Sequence, residues 1–310
     1  MKYTVIGGAG FIGSHLVDSL IEDNHEVIVF DNMSSGNPDN LNTKAKHFHV
    51  DPTYFNTDIA NKIPVYREAI SHAAGSDVIF HLAARARVQP SIEDPIGTNR
   101  ANVDSTLGAL EFCKNIQARR FVYSASSSAY GDADVFPTPE DHPTNPKSPY
   151  GLQKLIGEHY CKVYSECYGM DTVSLRYFNV YGERAANDGA YALVMGTFFD
   201  QKLHGRPLTI TGDGEQKRDF TYVLDVVNAN ILAAKCDQKF SGDVFNIGNG
   251  DNRTVNQIAD LIGGKKEYIE ERMEPKQTLA DISKAKEVLG WEPSMSVEEW
   301  IPKYKKVLNI

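Results

Sequence analysis

No stretch of this 310-residue chain approaches the roughly 20 consecutive apolar residues that a membrane-spanning helix needs, so no such span is expected. The opening MKYTVIGGAGFIG also lacks a long apolar region or a cleavage site and runs straight into strand and turn, which points to the cytoplasm and to no membrane partner. Positive charge is in deficit. The 32 Lys and Arg against 41 Asp and Glu leave a net charge of −9, which argues against a nucleic-acid partner and for a small-molecule one held by a local basic site. Cysteine is sparse as well. Cys113, Cys161, Cys167 and Cys236 show neither paired metal-ligand spacing nor a secreted disulfide framework, so no metal is expected and the thiols are read as reduced core or helix residues.

What the chain does have is enough apolar material, 41% of residues, for a sizeable core, arranged in alternating runs. YTVI at 3–6, EVIVF at 26–30, HFHV at 47–50, DVIFHLAA at 77–84, RRFVYS at 119–124 and TVSLRYF at 172–178 read as strands separated by helical stretches. Strands apolar on both faces and spaced by helices predict an α/β protein with a doubly wound parallel sheet. After Phe178 the rhythm becomes loop, helix and short strand, which predicts a smaller C-terminal lobe. VLDVVNANILAA (223–234) and VFNIGN (244–249) again look like core helix and strand, so that lobe is discontinuous: 1–178 with 219–250 form one unit, 179–218 and 251–310 the other.

Between the first strand and the amphipathic SHLVDSLIED lies GGAGFIG, with Gly7, Gly10 and Gly13. Such glycines permit a tight turn, close approach of backbone to a pyrophosphate, and tight helix-on-strand packing, while the helix N-terminus favours anionic phosphate. A glycine triplet alone is weak evidence, and the spacing GxxGxxG differs from GxGxxG. Its weight comes from Asp31, 18 residues past Gly13 at the end of the second strand, where a carboxylate can accept bonds from both hydroxyls of an adenosine ribose. That carboxylate would repel a ribose phosphate and no arginine follows it directly, so NAD is favoured over NADP. Asp58 and Ile59 are read as pinching the adenine, with Asp51 competing for the assignment.

A tyrosine and a lysine then stand one helical turn apart in YGLQK, Tyr150 to Lys154, with Tyr150 19 residues after Gly131 of the serine-rich strand end SASSSAYGD at 124–132. Oxidising a carbinol needs a base for the hydroxyl proton while hydride leaves carbon. Tyrosine, with an unperturbed pKa of about 10, serves when a neighbouring ammonium favours its phenolate. A serine at the strand end can hold the same substrate oxygen in line. The bland alternatives are a solvated helix pair and a turn rich in small hydroxyls; the glycine loop tips the balance.

At these residues the chain resembles the extended short-chain dehydrogenase/reductases, in particular nucleotide-sugar epimerases of the UDP-glucose 4-epimerase type. The likeness runs through GGAGFIGSH, DNMSSG, HLAA, SSSAYGD, SPYGLQK, RYFNVYG, GDGEQKRDFTYVLDV, FNIGNG and LADISKAKEVLGWEP. It implies a Rossmann-type sheet and NAD held by Gly7, Gly10, Phe11, Ile12, Gly13, Asp31, Asn32, Ser35, Gly36, Asp58, Ile59, Leu82, Ala83, Ala84, Asn102, Ser124, Tyr150, Lys154 and Tyr177. It makes Tyr150 the base, has Lys154 lower its pKa and bind the nicotinamide ribose, and has Ser126, with Ser127 as runner-up, share the sugar hydroxyl. For the UDP-sugar partner it implies Arg87, Ser126, Ser127, Tyr150, Asn179, Ala192, Leu208, Ile210, Gln216, Arg218, Arg272 and Thr278. One departure stands out: Glu271 occupies the place of a phosphate-binding arginine, with Arg272 as the substitute one position later.

Within that resemblance, Ser127 and Ser128 stand where a 4,6-dehydratase would carry an Asp-Glu pair and a uronic-acid decarboxylase a glutamate, which favours a 4-epimerase. UDP-uronic acid 4-epimerisation or decarboxylation, or a noncatalytic NAD-binding relative, remain the alternatives. Thr278, where a large tyrosine is associated with excluding an N-acetyl group, implies acceptance of UDP-N-acetylglucosamine beside UDP-glucose. Arg87 either faces a uronic carboxylate or pairs at the surface. The helices around 101–117 and 150–167 resemble a homodimer-forming pair, with Leu107, Leu110, Leu155 and Ile156 either in that interface or covering the sheet.

Overall fold

Alternate residues of a strand point to opposite faces, so a run of β-branched and aromatic residues makes a sheet that must be covered on both sides. The computed structural model, which describes residues 1–55, 62–186, 193–271 and 275–310, bears this out. Strand β1 (Lys2–Ile6) leads through the glycine loop to helix α1 (Phe11–Glu22); β2 (Glu26–Asp31), β3 (Lys46–His49), β4 (Val78–His81), β5 (Arg120–Ser126) and β6 (Thr172–Tyr177) follow. A later strand, Ser241–Ile247, returns to the same sheet beside β6. The order across the seven strands is Ser241–Ile247, β6, β5, β4, β1, β2, β3, and every pairing is parallel.

On one face Tyr3, Val5, Val27, Val29, Val78 and Phe80 pack with Leu16, Val17 and Leu20 of α1 and Val223, Val226 and Val227 of the helix Val223–Lys235. On the other, Ile6, Ile28, Phe30, Ile79 and Phe121 meet Leu110 and Phe112 of the helix Ser105–Asn115 and Cys161 and Tyr164 of the helix Pro149–Tyr168. Cys113 and Cys161 are free buried thiols of this second layer. Leu110 and Leu155 are buried within the chain and so do not face outward; Leu107 and Ile156 are half-buried.

The chain order reverses between β1 and β4, and a parallel sheet opens a crevice beyond the carboxyl ends of its strands at such a switch point. Short strand pairs build the region outside the sheet: Leu208–Thr211 with Lys266–Ile269, and Lys217–Asp219 with Asn252–Thr254. Phe198, Phe199, Leu208, Ile210, Ile258, Trp291 and Trp300 of this region belong to the same apolar cluster as Tyr3 and Val5. Among the described residues, no helix is long and apolar enough to cross a membrane.

Candidate active site

The glycine loop has no room for side chains. Gly7 sits at φ +88° with its N–H donating to the Phe30 carbonyl at 2.7 Å, and a Cβ there would lie 2.5 Å from the Ala83 nitrogen. A Cβ on Gly13 would lie 2.1 Å from the Gly7 oxygen. Gly10 caps α1 with no side-chain bond, and no acidic residue occupies the first turn of that helix, to which Phe11 and Ile12 belong. Its leading N–H groups therefore carry the positive end of the helix dipole without a built-in anion.

Asp31, buried at the end of β2, holds this loop in shape: its carboxylate accepts from Ala9 N–H at 2.9 Å and from Met33 N–H at 2.8 Å. Gly36 lies against the same carboxylate and Ser35 is exposed next to it. Asn32 donates to Asp51 at 2.9 Å, bringing Asp51 to the carboxyl ends of β2 and β3. Asp58 and Ile59 lie outside the described residues, as do Ala192 and Arg272. Leu82, Ala83 and Ala84 follow β4, where Leu82 and Ala83 both donate to the Ile6 carbonyl and so border the glycine loop. Asn102 spends its amide on the backbone of Arg85 and on Gln153 Oε1 at 2.8 Å, bracing that segment against the helix Pro149–Tyr168.

That helix begins on a Ser148 cap with Pro149 in its first turn, which delivers Tyr150 to the end of β5. Ser126, Ser127 and Ser128 turn the chain there; Ser128 N–H donates to Ser126 Oγ at 3.2 Å. Burial raises the Tyr150 phenol above its ordinary pKa, while a hydrogen bond with Ser126 and the charge of Arg87 pull it down. Lys154 follows one helical turn later. Its Nζ donates to the Ser124 carbonyl at 2.8 Å and stands 5.1 Å from the centre of the Tyr123 ring, and burial lowers its pKa to about 8. Tyr177 takes a hydrogen bond with Ser124 and exchanges bonds with Asn230, and burial holds its phenol protonated.

Beyond the sheet, Asn179 donates to the Asp219 carbonyl at 3.0 Å and to Thr278 Oγ1 at 3.2 Å, and the same hydroxyl receives Asp219 N–H at 3.1 Å. Arg218 is buried in the adjoining strand with one Nη donating to the Lys217 carbonyl, and Gln216 donates to the Thr211 carbonyl. Leu208 and Ile210 are wholly enclosed, which leaves their backbone as the part that can border a ligand.

A family model described as the NAD dependent epimerase/dehydratase family matches residues 3–248. The chain belongs to this family. It is similar to the crystal structure of a UDP-glucose 4-epimerase with UDP-glucose from Thermotoga maritima, at 38% identity and TM-score 0.90, over 99% of this chain and 100% of that one. A UDP-N-acetylglucosamine 4-epimerase from Methanobrevibacter ruminantium in complex with UDP-N-acetylmuramic acid is 35% identical with TM-score 0.88 over 99% and 97%. A UDP-glucuronic acid 4-epimerase from Bacillus cereus, in complex with UDP-glucuronic acid and NAD, is 32% identical with TM-score 0.87 over 100% and 99%.

The family's cofactor, NAD, suits the donors and acceptors at the switch point. An uncapped helix start faces where a pyrophosphate needs N–H donors, and a buried carboxylate stands where a ribose needs an acceptor. Asp31 also fastens the loop through the N–H groups of Ala9 and Met33, which its position at a strand end did not disclose. Sequence reasoning also missed Ser91, whose Oγ receives Tyr150 N–H at 3.0 Å, and Asp219, whose carboxylate gathers the N–H groups of Asn249, Gly250 and Ala280. Ser91 carries no local signal; Asp219 is marked only by being a charge inside a short strand.

Proposed function

We propose that this protein is a UDP-sugar 4-epimerase that interconverts UDP-glucose with UDP-galactose and UDP-N-acetylglucosamine with UDP-N-acetylgalactosamine. The observation that carries the reading is the meeting of Ser126 and Tyr150 at the carboxyl end of β5, one helical turn from Lys154. NAD, held by the glycine loop and Asp31, would supply reversible hydride transfer at carbon 4 of the sugar. The Tyr150 phenolate oxygen takes the proton of the 4-hydroxyl and gives it back, and Ser126 holds that oxygen in line. Lys154, fastened to the Ser124 carbonyl, offers its remaining N–H donors to the nicotinamide ribose. In this reading residues 1–178 with 219–250 serve the cofactor, while Asn179, Arg218 and the backbone of Leu208 and Ile210 anchor UDP in the remaining lobe. Asp51, bonded to Asn32, is an adenine-side acceptor in this reading, beside the alternative Asp58.

Acceptance of the N-acetyl sugars rests on Thr278, whose small side chain is tied to Asn179 and Asp219 and leaves the space a tyrosine would fill. A cytoplasmic homodimer completes the reading, supported by the exposed Leu152, Val163 and Tyr168 on the helix Pro149–Tyr168. A second reading, UDP-uronic acid 4-epimerisation, is favoured by the Arg87 charge beside Tyr150. One panel tests both: UDP-glucose, UDP-N-acetylglucosamine and UDP-glucuronic acid, with both 4-epimers quantified by NMR. Conversion of the first two supports the main reading, conversion of the uronic acid alone supports the second, and loss of carbon dioxide overturns both.

A further inference from the structure

Asp219 closes the short strand Lys217–Asp219 and is wholly enclosed. Its carboxylate holds two other segments. One oxygen, Oδ1, accepts from the Asn249 N–H at 2.6 Å, and Oδ2 accepts from the Gly250 N–H at 3.1 Å and the Ala280 N–H at 3.0 Å. Asn249 and Gly250 follow the strand Ser241–Ile247 at the edge of the parallel sheet, whereas Ala280 comes two residues after Thr278. The backbone of Asp219 holds a third segment: its N–H donates to Thr278 Oγ1 at 3.1 Å and its carbonyl accepts from Asn179 Nδ2 at 3.0 Å. Asn179 itself stands at φ +27°, where non-glycine residues are uncommon, with its carbonyl accepting the Thr221 N–H at 3.3 Å. There is no slack around the carboxylate. A Cβ on Gly248 would lie 2.8 Å from Asp219 Oδ2 and 2.4 Å from the Ala280 Cβ.

We propose that Asp219 is a positioning residue for the nucleotide diphosphate: its buried carboxylate, together with the Thr278 hydroxyl, sets Asn179 and Arg218 at the spacing at which they receive UDP. The inference rests on the reading of Asn179 and Arg218 as UDP contacts. Asp219 acts through its neighbours, since Arg218 precedes it in the same strand and Asn179 is bonded to its carbonyl. A carboxylate suits the task because each oxygen can accept from more than one direction, and bonds from backbone N–H to a charged acceptor are stronger than neutral ones. An apolar side chain of similar volume would avoid the cost of burying a charge, but would leave three N–H groups from two segments without an acceptor. The carboxylate thus fixes the distance from the sheet edge to the strand that carries Arg218. Thr278 completes the pin, its Oγ1 accepting from both Asn179 Nδ2 and the Asp219 N–H and so filling both lone pairs of the hydroxyl.

Asp219→Asn keeps the shape of the side chain but turns one acceptor oxygen into a donor that faces backbone N–H groups. In the NAD-loaded enzyme, calorimetric titration with UDP should show Kd raised about tenfold or more, the size expected for losing a bond to a charged acceptor. KM for UDP-glucose should rise in step while kcat stays within about threefold and NAD content matches the parent, a split that a general loss of folded structure would not give. Thr278→Val is the second variant. It exchanges only a hydroxyl for a methyl, and UDP has no sugar for Thr278 to touch, yet the Kd for UDP should again rise. Unchanged UDP affinity in either variant, or a fall in kcat at unchanged KM in Asp219→Asn, overturns the proposal. If Asp219→Asn does not fold, Thr278→Val decides it. A parent that holds NAD but binds no UDP overturns the UDP reading, and the positioning role falls with it; a parent that binds UDP as tightly as both variants do overturns the positioning role alone.

Discussion

The glycine loop and the tyrosine corner lie at the carboxyl ends of strands in one sheet, yet they hold their shape by opposite means. At Gly7 and Gly13 backbone atoms approach so closely that a single carbon has no place, and Asp31 fastens the loop from a buried strand end. Around Tyr150 the shape comes from side chains far apart in sequence: Ser91, Ser126 and Asn102. The lesson is that the loop is intolerant of volume and the corner intolerant of altered chemistry.

The largest test removes one oxygen from the corner. Tyr150→Phe should lower turnover by about 10²- to 10⁴-fold while leaving folding and NAD retention intact, as read by NMR of both epimers and by the absorbance of bound cofactor. Near-normal turnover would break the contrast at its functional end. In the loop, Gly13→Ala should cost about 1–3 kcal/mol of stability in denaturant titrations and weaken NAD retention, because the added carbon meets the Gly7 carbonyl. Full stability with tight NAD would mean that volume is not what the loop excludes.

A smaller effect is predicted at the sugar end, where Thr278→Tyr should depress kcat/KM for UDP-N-acetylglucosamine by about 10-fold or more relative to UDP-glucose. Undiminished conversion of the N-acetyl sugar removes Thr278 from the specificity of the site.

The slightest test is one of pH. His81, stacked on Tyr123 and bonded to Thr106, is pushed down from 6.5 to about 3, chiefly by burial, with the Lys154 charge adding to it. The unfolded chain therefore binds a proton below pH 6.5 that the folded chain refuses, and stability falls by about 1.4 kcal/mol per pH unit as pH drops through that window. His81→Phe should flatten this slope between pH 7 and 5 in urea titrations. An equal slope in parent and variant would show that the buried neutral imidazole of His81 is not the source of the pH dependence.

The strands, the loop and the Tyr150–Lys154 spacing were legible because each is a local pattern: alternation of apolar residues, glycines before an amphipathic helix, two side chains a helical turn apart. Legibility failed wherever a residue's partner lies elsewhere in the chain. Leu110 and Leu155 carry the same local signature whether they cover a sheet or a neighbouring subunit, and packing turned both inward. The helix expected over 101–117 starts with a π turn, Arg100–Asp104, before regular helix resumes at Ser105–Asn115.

By itself the sequence determined a parallel α/β sheet, a dinucleotide loop after β1 and the residue types of a hydroxyl-oxidising site, since these depend on backbone propensity and short-range periodicity. Only the tertiary structure decided that Lys154 bonds to Ser124, that Thr278 is tied to Asn179 and Asp219, and that Ser91 receives the Tyr150 N–H. The physical reason is range: Ser91 and Tyr150 are 59 positions apart along the chain, and their bond exists only once the helix Val88–Glu93 has docked against the start of Pro149–Tyr168.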